Sequence, residues 1–304
     1  MKLSLRLLLL LPFILIMVGC PSDDEPTSIE SRPYAEVYAE DIVEIENFMD
    51  EHFMTVDGDN NVTFTKITSS TPGTPISAHP DLTFKTITKG GVDHKLYFIK
   101  LQEGLGDTDT DLDTENDNPT RLDSIFTSYK GFKTDLSNFD EASSPIWLEL
   151  EDVIQGWQEI FPEFKIGNST TDITTNITTF SGFGAGVMFV PSALAYYSQS
   201  AGSIPGYSPI IFSFKLMKLR FKDHDGDKVL SKYEYGGPIS SNALDSDGDG
   251  KVDYVDNDDD NDGKRTIEEV RITPGTSSWH TYDNIPTCVG GGNGKKKHLD
   301  PFCQ

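Results

Sequence analysis

Six short motifs follow one another between residues 128 and 219: SYKG (128–131), NFD (138–140), VIQGW (153–157), FVPSALAY (189–196), SIPG (203–206) and IIFSFKLMKL (210–219). Five of them carry an aromatic ring, and NFD places a carboxylate directly after a phenylalanine. A sheet wrapped on a single helix would bring these rings and the acid together in a small apolar pocket. Such a pocket holds a ligand by shape and apolar contact, so it can act on the ligand without a nucleophilic side chain.

In this order the motifs resemble the FKBP family of peptidyl-prolyl cis-trans isomerases, over about residues 93–220. The resemblance implies an α+β fold in which an antiparallel half β-barrel is wrapped on one short helix. An amphipathic helix is expected before this fold, and a loop-rich calcium-binding tail after it. The resemblance also implies isomerisation of X-Pro peptide bonds, with proline-containing polypeptides as partners and no cofactor for catalysis.

Carried over motif by motif, the resemblance places six residues in the catalytic pocket: Tyr129, Phe139, Asp140, Trp157, Tyr196 and Phe212. Four more are expected to contact the substrate: Ile146, Val153, Ile154 and Ile204. It implies that Trp157 forms the floor and that Asp140 faces the twisted amide carbonyl. The Ile154 N–H and the Tyr196 hydroxyl would hold the substrate's carbonyl groups.

The chemistry of the reaction explains this choice of residues. Rotation about an X-Pro amide faces a barrier of about 18–20 kcal/mol because it destroys resonance. A dry aromatic box takes the planar amide out of water and holds the proline ring while the chain turns, so no proton transfer is needed. Taken singly, Phe139 and Phe212 also suit a barrel core, and a non-catalytic peptide-binding domain is the alternative function.

Three features depart from the family pattern. Ile146 stands where an aromatic residue is common, and residues 140–145 are expected to form a short loop. Residues 168–185, NSTTDITTNITTFSGFGA, form an insert much longer than the usual turn. The insert adjoins the strand that leads to Tyr196, a position from which it can cover the pocket.

The first 20 residues, MKLSLRLLLLLPFILIMVGC, combine two basic residues with an apolar run and predict an export signal. Residues 17–20 resemble a bacterial lipobox, which implies cleavage before Cys20 and lipid attachment to it; an ordinary signal peptide is the alternative. The acidic stretch 21–26 resembles the surface-export tag of Bacteroidetes lipoproteins. We therefore expect an exported protein that is lipid-anchored to the cell envelope, in the outer membrane, either periplasmic or surface-exposed.

These signals divide the chain into five segments. We predict a lipoprotein signal peptide over residues 1–19, a tether over 20–33, an N-terminal helix and linker over 34–92, the isomerase domain over 93–220 and an acidic tail over 221–304. The helix is expected over about 34–54, with an apolar stripe of Tyr38, Ile42, Ile45, Met49 and Phe53. This stripe requires a partner, either the isomerase domain or a second copy of the chain, and the oligomeric state stays open.

Charge and motif content exclude several classes of function. The chain holds 49 acidic and 25 basic side chains, a net charge of −24. Such a field repels nucleic acid and makes divalent cations the natural counter-ions. The sequence contains no G-x-S-x-G, no H-E-x-x-H and no complete P-loop, which argues against the corresponding hydrolases, metalloproteases and nucleotidases.

Three acidic twelve-residue frames follow residue 220 and match the loop that binds Ca²⁺ through oxygen ligands at positions 1, 3, 5, 7, 9 and 12. Loop 1, DHDGDKVLSKYE, offers Asp223, Asp225, Asp227, the carbonyl of Val229, Ser231 and Glu234. Loop 2, DSDGDGKVDYVD, offers Asp245, Asp247, Asp249, Asp253 and Asp256. Loop 3, DDDNDGKRTIEE, offers Asp258, Asp260, Asp262, Thr266 and Glu269.

The repetition of alternate aspartates in one register indicates structural calcium rather than a merely solvated acidic linker. Lys228 occupies position 6 of loop 1, where glycine is usual because the backbone takes a positive φ. Residues 235–238 (YGGP) disfavour a helix directly after loop 1, as an EF-hand would have. The loops therefore resemble those of thrombospondin type 3 repeats more than paired EF-hands. Cys288 and Cys303 are expected to close the last loop as a disulfide, with a metal pair as the alternative.

Overall fold

The computed structural model describes residues 31–106, 118–236, 243–288 and 294–303. Arg32–Gln304 form one compact unit. The predicted signal peptide and Cys20 belong to the other unit, Met1–Ser31, and lie outside the described residues. Within the described ranges, no helix combines the length and the apolar character needed to cross a membrane.

The described residues contain four α-helices and ten β-strands. The helices are α1 (Tyr34–Glu51), α2 (Gln155–Ile160), α3 (Ser231–Glu234) and α4 (Thr266–Glu269). The strands are β1 (His52–Val56), β2 (Val62–Lys66), β3 (Leu82–Lys89), β4 (Val92–Gln102), β5 (Ser124–Lys133), β6 (Asn138–Glu149), β7 (Asn168–Thr171), β8 (Thr178–Ser181), β9 (Gly184–Val190) and β10 (Ile210–Arg220).

Six strands form one antiparallel sheet in the order β3-β4-β9-β10-β5-β6, which confirms the mixed helix-and-sheet class with antiparallel pairing. Strand β3 is an edge of this sheet, so the sheet begins before the predicted boundary at residue 93. Strand β6 runs through residues 140–145, where a loop was expected, and two register shifts against β5 absorb the irregularity.

Successive side chains point to opposite faces of the sheet, and both faces are covered. On β9, Met188 and Val190 join the cluster that packs against α2, whereas Val187 and Phe189 join the cluster under α1. This double coverage explains why every residue of β9 is apolar or glycine and buried. A glycine is required at position 186, because a Cβ there would lie 2.6 Å from the Phe164 ring.

Helix α1 covers the second face of the sheet and ends earlier than expected, because His52 begins β1. Its Ile45, Phe48 and Met49 pack in one cluster with residues of β4 and β9, so the partner of the helix is the sheet of its own chain. The buried stripe also differs from the expected one, since it consists of Val37, Asp41, Ile45, Phe48 and Met49.

The tail has a small apolar core, a cluster of Val229, Val270 and Ile285. Loops 1 and 3 each end in a four-residue helix, α3 and α4, and loop 2 carries a 3-10 turn, Asp253–Val255. None of these elements extends into a long exit helix within the described residues. Cys288 and Cys303 form a disulfide.

Loop 1 is joined directly to the strands that precede it. The Lys222 N–H donates to the buried carboxylate of Asp123 (3.0 Å). His224 Nε2 lies 2.8 Å from the Glu151 carboxylate, which sits in the turn before α2. The tail therefore begins in a fixed position relative to the end of β10.

Candidate functional site

Four aromatic rings from four elements meet in one cluster: Tyr129 of β5, Phe139 of β6, Trp157 of α2 and Phe212 of β10. The Trp157 ring centroid lies 5.0 Å from that of Tyr129 and 5.1 Å from that of Phe212. Phe139 and Phe212 are 5.5 Å apart. All three contacts have interplanar angles of 85–89°, the edge-to-face geometry that aromatic rings favour. We call this group the ring box.

Strand register and one glycine set the position of the walls. In the β5–β10 pair, Tyr129 lies opposite Phe214 and Gly131 lies opposite Phe212. A Cβ on Gly131 would lie 2.6 Å from the Phe139 ring and 2.9 Å from the Phe212 ring. These two rings can therefore meet because the motif SYKG ends in glycine.

Asp140 is connected to the ring box through Tyr129, whose hydroxyl donates a hydrogen bond to Asp140 Oδ2 (2.8 Å). The Asp140 side chain itself is exposed to solvent, so it lies at the rim of the box. Burial, and then the hydrogen bond to Asp140, raises the pKa of Tyr129 to about 12. Burial, and then the negative charge of Asp140, also raises the pKa of Tyr196. Both phenols therefore remain protonated donors at neutral pH.

Trp157 forms the base of the ring box and is only 3% exposed. Its indole Nε1 is buried and has no hydrogen-bond partner. Helix α2 begins just before it, where the Ile154 carbonyl accepts the Trp157 N–H (3.0 Å). Val153 and Ile154 are half-buried against the same core cluster as Trp157.

The remaining predicted pocket residues divide into two groups. Ile204 is buried, Tyr196 is half-buried, and both pack in the cluster that contains the ring box. Ile146 differs, because its side chain is 39% exposed and it is not part of that cluster. A substrate role for Ile146 therefore lacks the packing support that the other apolar pocket residues have.

Helix α1 holds the segment that leads to Tyr196. Asp41 Oδ2, buried in the apolar stripe, accepts hydrogen bonds from the N–H and the hydroxyl of Ser192, each 2.7 Å long. At the start of the helix, the Arg32 N–H donates to the Tyr207 hydroxyl (2.9 Å). These contacts could not be predicted from the sequence, because their partners are 151 and 175 positions apart. The one indication in the sequence was Asp41 itself, an acid on the face of the helix that is buried and that therefore needs a polar partner.

Residues 168–185, expected to cover the pocket, form the separate two-stranded hairpin β7–β8 and the start of β9. The hairpin's Phe180 ring contacts Phe126 of β5 (5.8 Å), which also contacts Trp147 (5.1 Å). Among the described residues, no ring contact joins the hairpin to the ring box. The hairpin thus packs beside the Phe126 side of the sheet rather than against the pocket rings.

The three acidic loops share one hydrogen-bonding pattern. In each loop the carboxylate at position 1 accepts the N–H of position 6. The carboxylates at positions 3 and 5 each accept the N–H two residues later. The side chain at position 9 accepts the N–H of position 2. The aspartates at positions 3 and 5 therefore use one oxygen to hold the loop and keep the second for a ligand.

The structure brings part of each predicted ligand set together. Three groups have one carboxylate oxygen per residue within 4.8 Å of all the others: Asp245, Asp247 and Asp249; Asp258, Asp260 and Asp262; and Asp225, Asp227 and Glu234 together with Asp259. The predicted ligands outside these groups are Asp223, Val229, Ser231, Asp253, Asp256, Thr266 and Glu269. Asp259 is the one member that the twelve-residue frames did not assign.

Many buried oxygens of the acidic loops have no hydrogen-bond partner, which fits a divalent cation. Buried carboxylate oxygens without a hydrogen-bond partner occur on Asp225, Asp227, Glu234, Asp258, Asp259, Asp260 and Glu269. Burial, followed by nearby carboxylates, raises the pKa of Asp227 to about 8, of Asp259 to about 9 and of Glu234 to about 11. Hard oxygen donors in this number suit Ca²⁺, whose charge would stabilise the ionised forms.

Position 6 has a positive φ in all three loops, as predicted: 83° at Lys228, 95° at Gly250 and 89° at Gly263. Of these three residues Lys228 alone has a Cβ atom, which makes a positive φ unfavourable. Its ammonium group lies 3.6 Å from the Asp223 carboxylate. Loop 1 thus keeps the same backbone as loops 2 and 3 in spite of the lysine.

Comparison with known proteins finds a curated relative and a family model that each match part of the chain. A curated relative, the FKBP-type peptidyl-prolyl cis-trans isomerase FkpA of Aeromonas hydrophila, is 28% identical over 114 residues. The match covers 36% of this chain and spans only 37% of that relative's length. The family model described as BamM C-terminal matches residues 221–295, which include all three acidic loops.

Two solved structures also match, each with 17% sequence identity and a TM-score of 0.37. One is a peptidyl-prolyl cis-trans isomerase from Pseudomonas syringae pv. tomato, for which the match covers 62% of this chain and 97% of that one. The other is FkpA from Escherichia coli, for which it covers 61% of this chain and 62% of that one.

Proposed function

We propose that this chain is an FKBP-type peptidyl-prolyl cis-trans isomerase that acts on X-Pro bonds of exported or surface proteins. The ring box carries the proposal, because its rings meet edge-to-face and the Tyr129 hydroxyl links them to Asp140. The similarity to an FKBP-type isomerase over 114 residues supports the same activity and proline-containing polypeptides as its substrates.

The box would act by accommodating the twisted amide better than the planar one. Twisting removes amide resonance, against a barrier of about 18–20 kcal/mol, and makes the nitrogen pyramidal. An apolar site removes the water that stabilises the planar ground state. Trp157 would support the prolyl ring from below, with Phe139 and Phe212 as walls.

Polar groups at the rim would hold the peptide while it turns. The Tyr196 hydroxyl and the Ile154 N–H would donate to substrate carbonyls. Asp140 accepts the Tyr129 hydroxyl (2.8 Å) and fixes that phenol against the box. Its second oxygen would face the substrate. No atom of the substrate exchanges a proton in this scheme, so the groups act by position and charge alone.

We predict that Asp140→Asn lowers kcat/KM for a short X-Pro peptide by roughly 10- to 150-fold, since a hydrogen bond to a charged group is worth about 1.5–3 kcal/mol. The measurement is the rate of cis-to-trans exchange, compared with buffer. Glu141→Gln, the next residue on β6 and also exposed, is the matched control and should retain the wild-type rate. A wild type no faster than buffer would refute the isomerase; equal rates in all three proteins would refute the role of Asp140.

A peptide-binding domain without catalysis is the second candidate. Trp157 and Phe212 are only 3% and 4% exposed, so a peptide could bind at the rim of the box without having its prolyl amide enclosed by these rings. Binding of an X-Pro peptide, measured by calorimetry, without any acceleration of its exchange would identify this function.

We also propose that Ca²⁺ is a structural ion of the tail and that Cys20 carries a lipid that anchors the protein to the cell envelope. The shared hydrogen-bonding pattern of the loops and their unpartnered buried oxygens support the ion. The ligands would be the carboxylates at positions 1, 3 and 5 of loops 2 and 3, and those at positions 3, 5 and 12 of loop 1. The lipobox-like residues 17–20 support the anchor.

A further inference from the structure

A cluster of four carboxylates joins two different loops of the tail. Asp225, Asp227 and Glu234 come from loop 1, and Asp259 comes from loop 3. One oxygen of each lies within 4.8 Å of an oxygen from each of the others. The other two acidic groups of the described tail are each built from a single loop. We call these four residues the inter-loop cluster.

The inter-loop cluster is buried, and its acceptors are unused. Asp227 and Asp259 are each 1% exposed, and Glu234 is 3% exposed. Asp225 Oδ2, Asp227 Oδ2 and both oxygens of Glu234 and Asp259 are buried without a hydrogen-bond partner. Ionised carboxylates buried in this way are strongly unfavourable unless a cation meets them. The cluster therefore converges on a position that requires positive charge.

The spacing of the oxygens fits Ca²⁺. Oxygens on opposite sides of a Ca²⁺ ion, bound at about 2.3–2.6 Å, lie up to roughly 5 Å apart. Mg²⁺ binds at about 2.0–2.1 Å and requires near-ideal octahedral geometry, so it demands a tighter group. Four oxygens within 4.8 Å of one another are compatible with the larger ion, and a cluster of carboxylates without an imposed octahedral geometry suits its flexible coordination.

Asp259 differs from the residues at the same position of the other loops. It stands at position 2 of loop 3, between Asp258 and Asp260, which belong to loop 3's own acidic group. Position 2 of loop 1 is His224 and that of loop 2 is Ser246, and both side chains bond to position 9 of their own loop. Loop 3 therefore differs from the other two loops, because its position 2 holds an acid whose carboxylate lies close to another loop.

We infer that Asp259 is a ligand of the loop 1 Ca²⁺ ion, so that this site is closed by two loops rather than one. The inference rests on the proposed calcium role of the tail and adds a ligand that the twelve-residue frame lacks. An ion in loop 3 would orient the backbone on both sides of Asp259 and so complete the loop 1 site. Binding at the two sites is therefore positively coupled.

The inter-loop site has a structural consequence. Loop 1 is fixed to the end of β10 and to Glu151 through His224. An ion shared with Asp259 fixes loop 3 to loop 1 in turn. A filled site would thus add a second connection between loops 1 and 3, beside the apolar core of Val229, Val270 and Ile285.

The test uses the full chain, wild type and Asp259→Asn, titrated with CaCl₂ in a calorimeter. Because the variant keeps the shape but loses the charge of one ligand, we expect the affinity of one site to fall by at least about tenfold. Asp283→Asn, an exposed acid of the tail outside the three loops, is the matched control and should bind as the wild type does.

Thermal unfolding supplies a second readout with opposite signs. In excess EDTA, Asp259→Asn should melt at a higher temperature than the wild type, because one unpartnered buried charge is gone. In millimolar CaCl₂ it should melt at a lower temperature, because a ligand is gone. A purely structural role of Asp259 would shift both melting temperatures in the same direction, and that result would overturn the inference.

The outcomes separate this inference from the proposed calcium role itself. A wild type that binds no Ca²⁺ would overturn both. If the wild type binds Ca²⁺ and Asp259→Asn binds it with the same affinity and stoichiometry, only the inter-loop site would be overturned. Equal responses to MgCl₂ and CaCl₂ would overturn the choice of ion.

Discussion

At the scale of single residues, Lys228 shows how a loop tolerates an unfavourable side chain. Its φ of 83° lies in the left-handed region, which is unfavourable for a residue with a Cβ by roughly 1–2 kcal/mol. The hydrogen bond from its N–H to Asp223 (3.3 Å) and the nearby ammonium group hold the backbone there. Loops 2 and 3 have glycine at the same place and avoid the strain.

Lys228→Gly should therefore stabilise the calcium-loaded protein by about 1 kcal/mol, after the greater freedom of glycine in the unfolded chain is subtracted. The measurement is the free energy of unfolding in saturating CaCl₂. Lys228→Ala is the control, because it removes the ammonium group and keeps the strained φ. A glycine variant no more stable than the alanine variant would show that strain at this position does not limit loop 1.

At the scale of elements, α1 acts as a support for the segment behind the ring box. It buries Ile45, Phe48 and Met49 against one face of the sheet. Its Asp41 holds Ser192, four residues before Tyr196, through two hydrogen bonds. Burial raises the pKa of Asp41 to about 6, the Ser192 bonds oppose this rise, and the charges of Glu44 and Glu40 add to it.

The sign of the resulting pH dependence follows from linkage. An unfolded aspartate has a pKa of about 3.9, so between about pH 4 and pH 6 the folded protein binds this proton more tightly. The contribution of Asp41 to stability is therefore largest at low pH and falls as the pH rises through about 6. Asp41→Asn keeps the acceptor oxygen and lacks the titration.

We predict that the stability of Asp41→Asn, relative to the wild type, rises by up to about 3 kcal/mol between pH 4 and pH 7. Urea unfolding followed by circular dichroism across this range measures it. Asp50→Asn, exposed on the same helix, tests whether loss of any acid has the same effect. A difference between Asp41→Asn and wild type that does not change with pH would contradict the prediction.

At the scale of the whole molecule, two regions are stabilised by different means. The sheet has two apolar clusters, one on each face. The tail has a buried cluster of three apolar residues and a concentration of acids in a chain whose net charge is −24. Burial of apolar area stabilises the first region, whereas we propose that the second is stabilised by bound Ca²⁺ together with the disulfide.

Removal of calcium should therefore affect the two regions unequally. In EDTA, we expect calorimetry of the full chain to show a separate low-temperature transition of the tail, while the near-ultraviolet dichroism of the ring box persists above it. Restoring CaCl₂ should raise that transition, and MgCl₂ at the same concentration should not. One transition at an unchanged temperature in EDTA and in CaCl₂ would contradict a structural role for the ion.

The sequence allowed the ring box and the repeated loops to be predicted, because their residue types are tied to local geometry. Gly131 leaves space for two rings, and the glycines of the loops occupy positions with positive φ. The roles of Asp41 and Asp259 could not be predicted. Each residue departs from the local sequence pattern around it, and its partners are brought close only by tertiary contacts. The edge strand β3 was placed in the linker segment because its partner β4 lies beyond the expected boundary.

The order of strands in the sheet has a consequence for how the protein matures. Strand β9 sits between β4 and β10, so the early hairpin β3–β4 has to wait for a partner that is synthesised some eighty residues later. Pairings of such high contact order form slowly. A chain that emerges from a translocation channel amino end first would expose the free edge of β4 throughout this delay, which makes it a target for holding chaperones and a risk for aggregation.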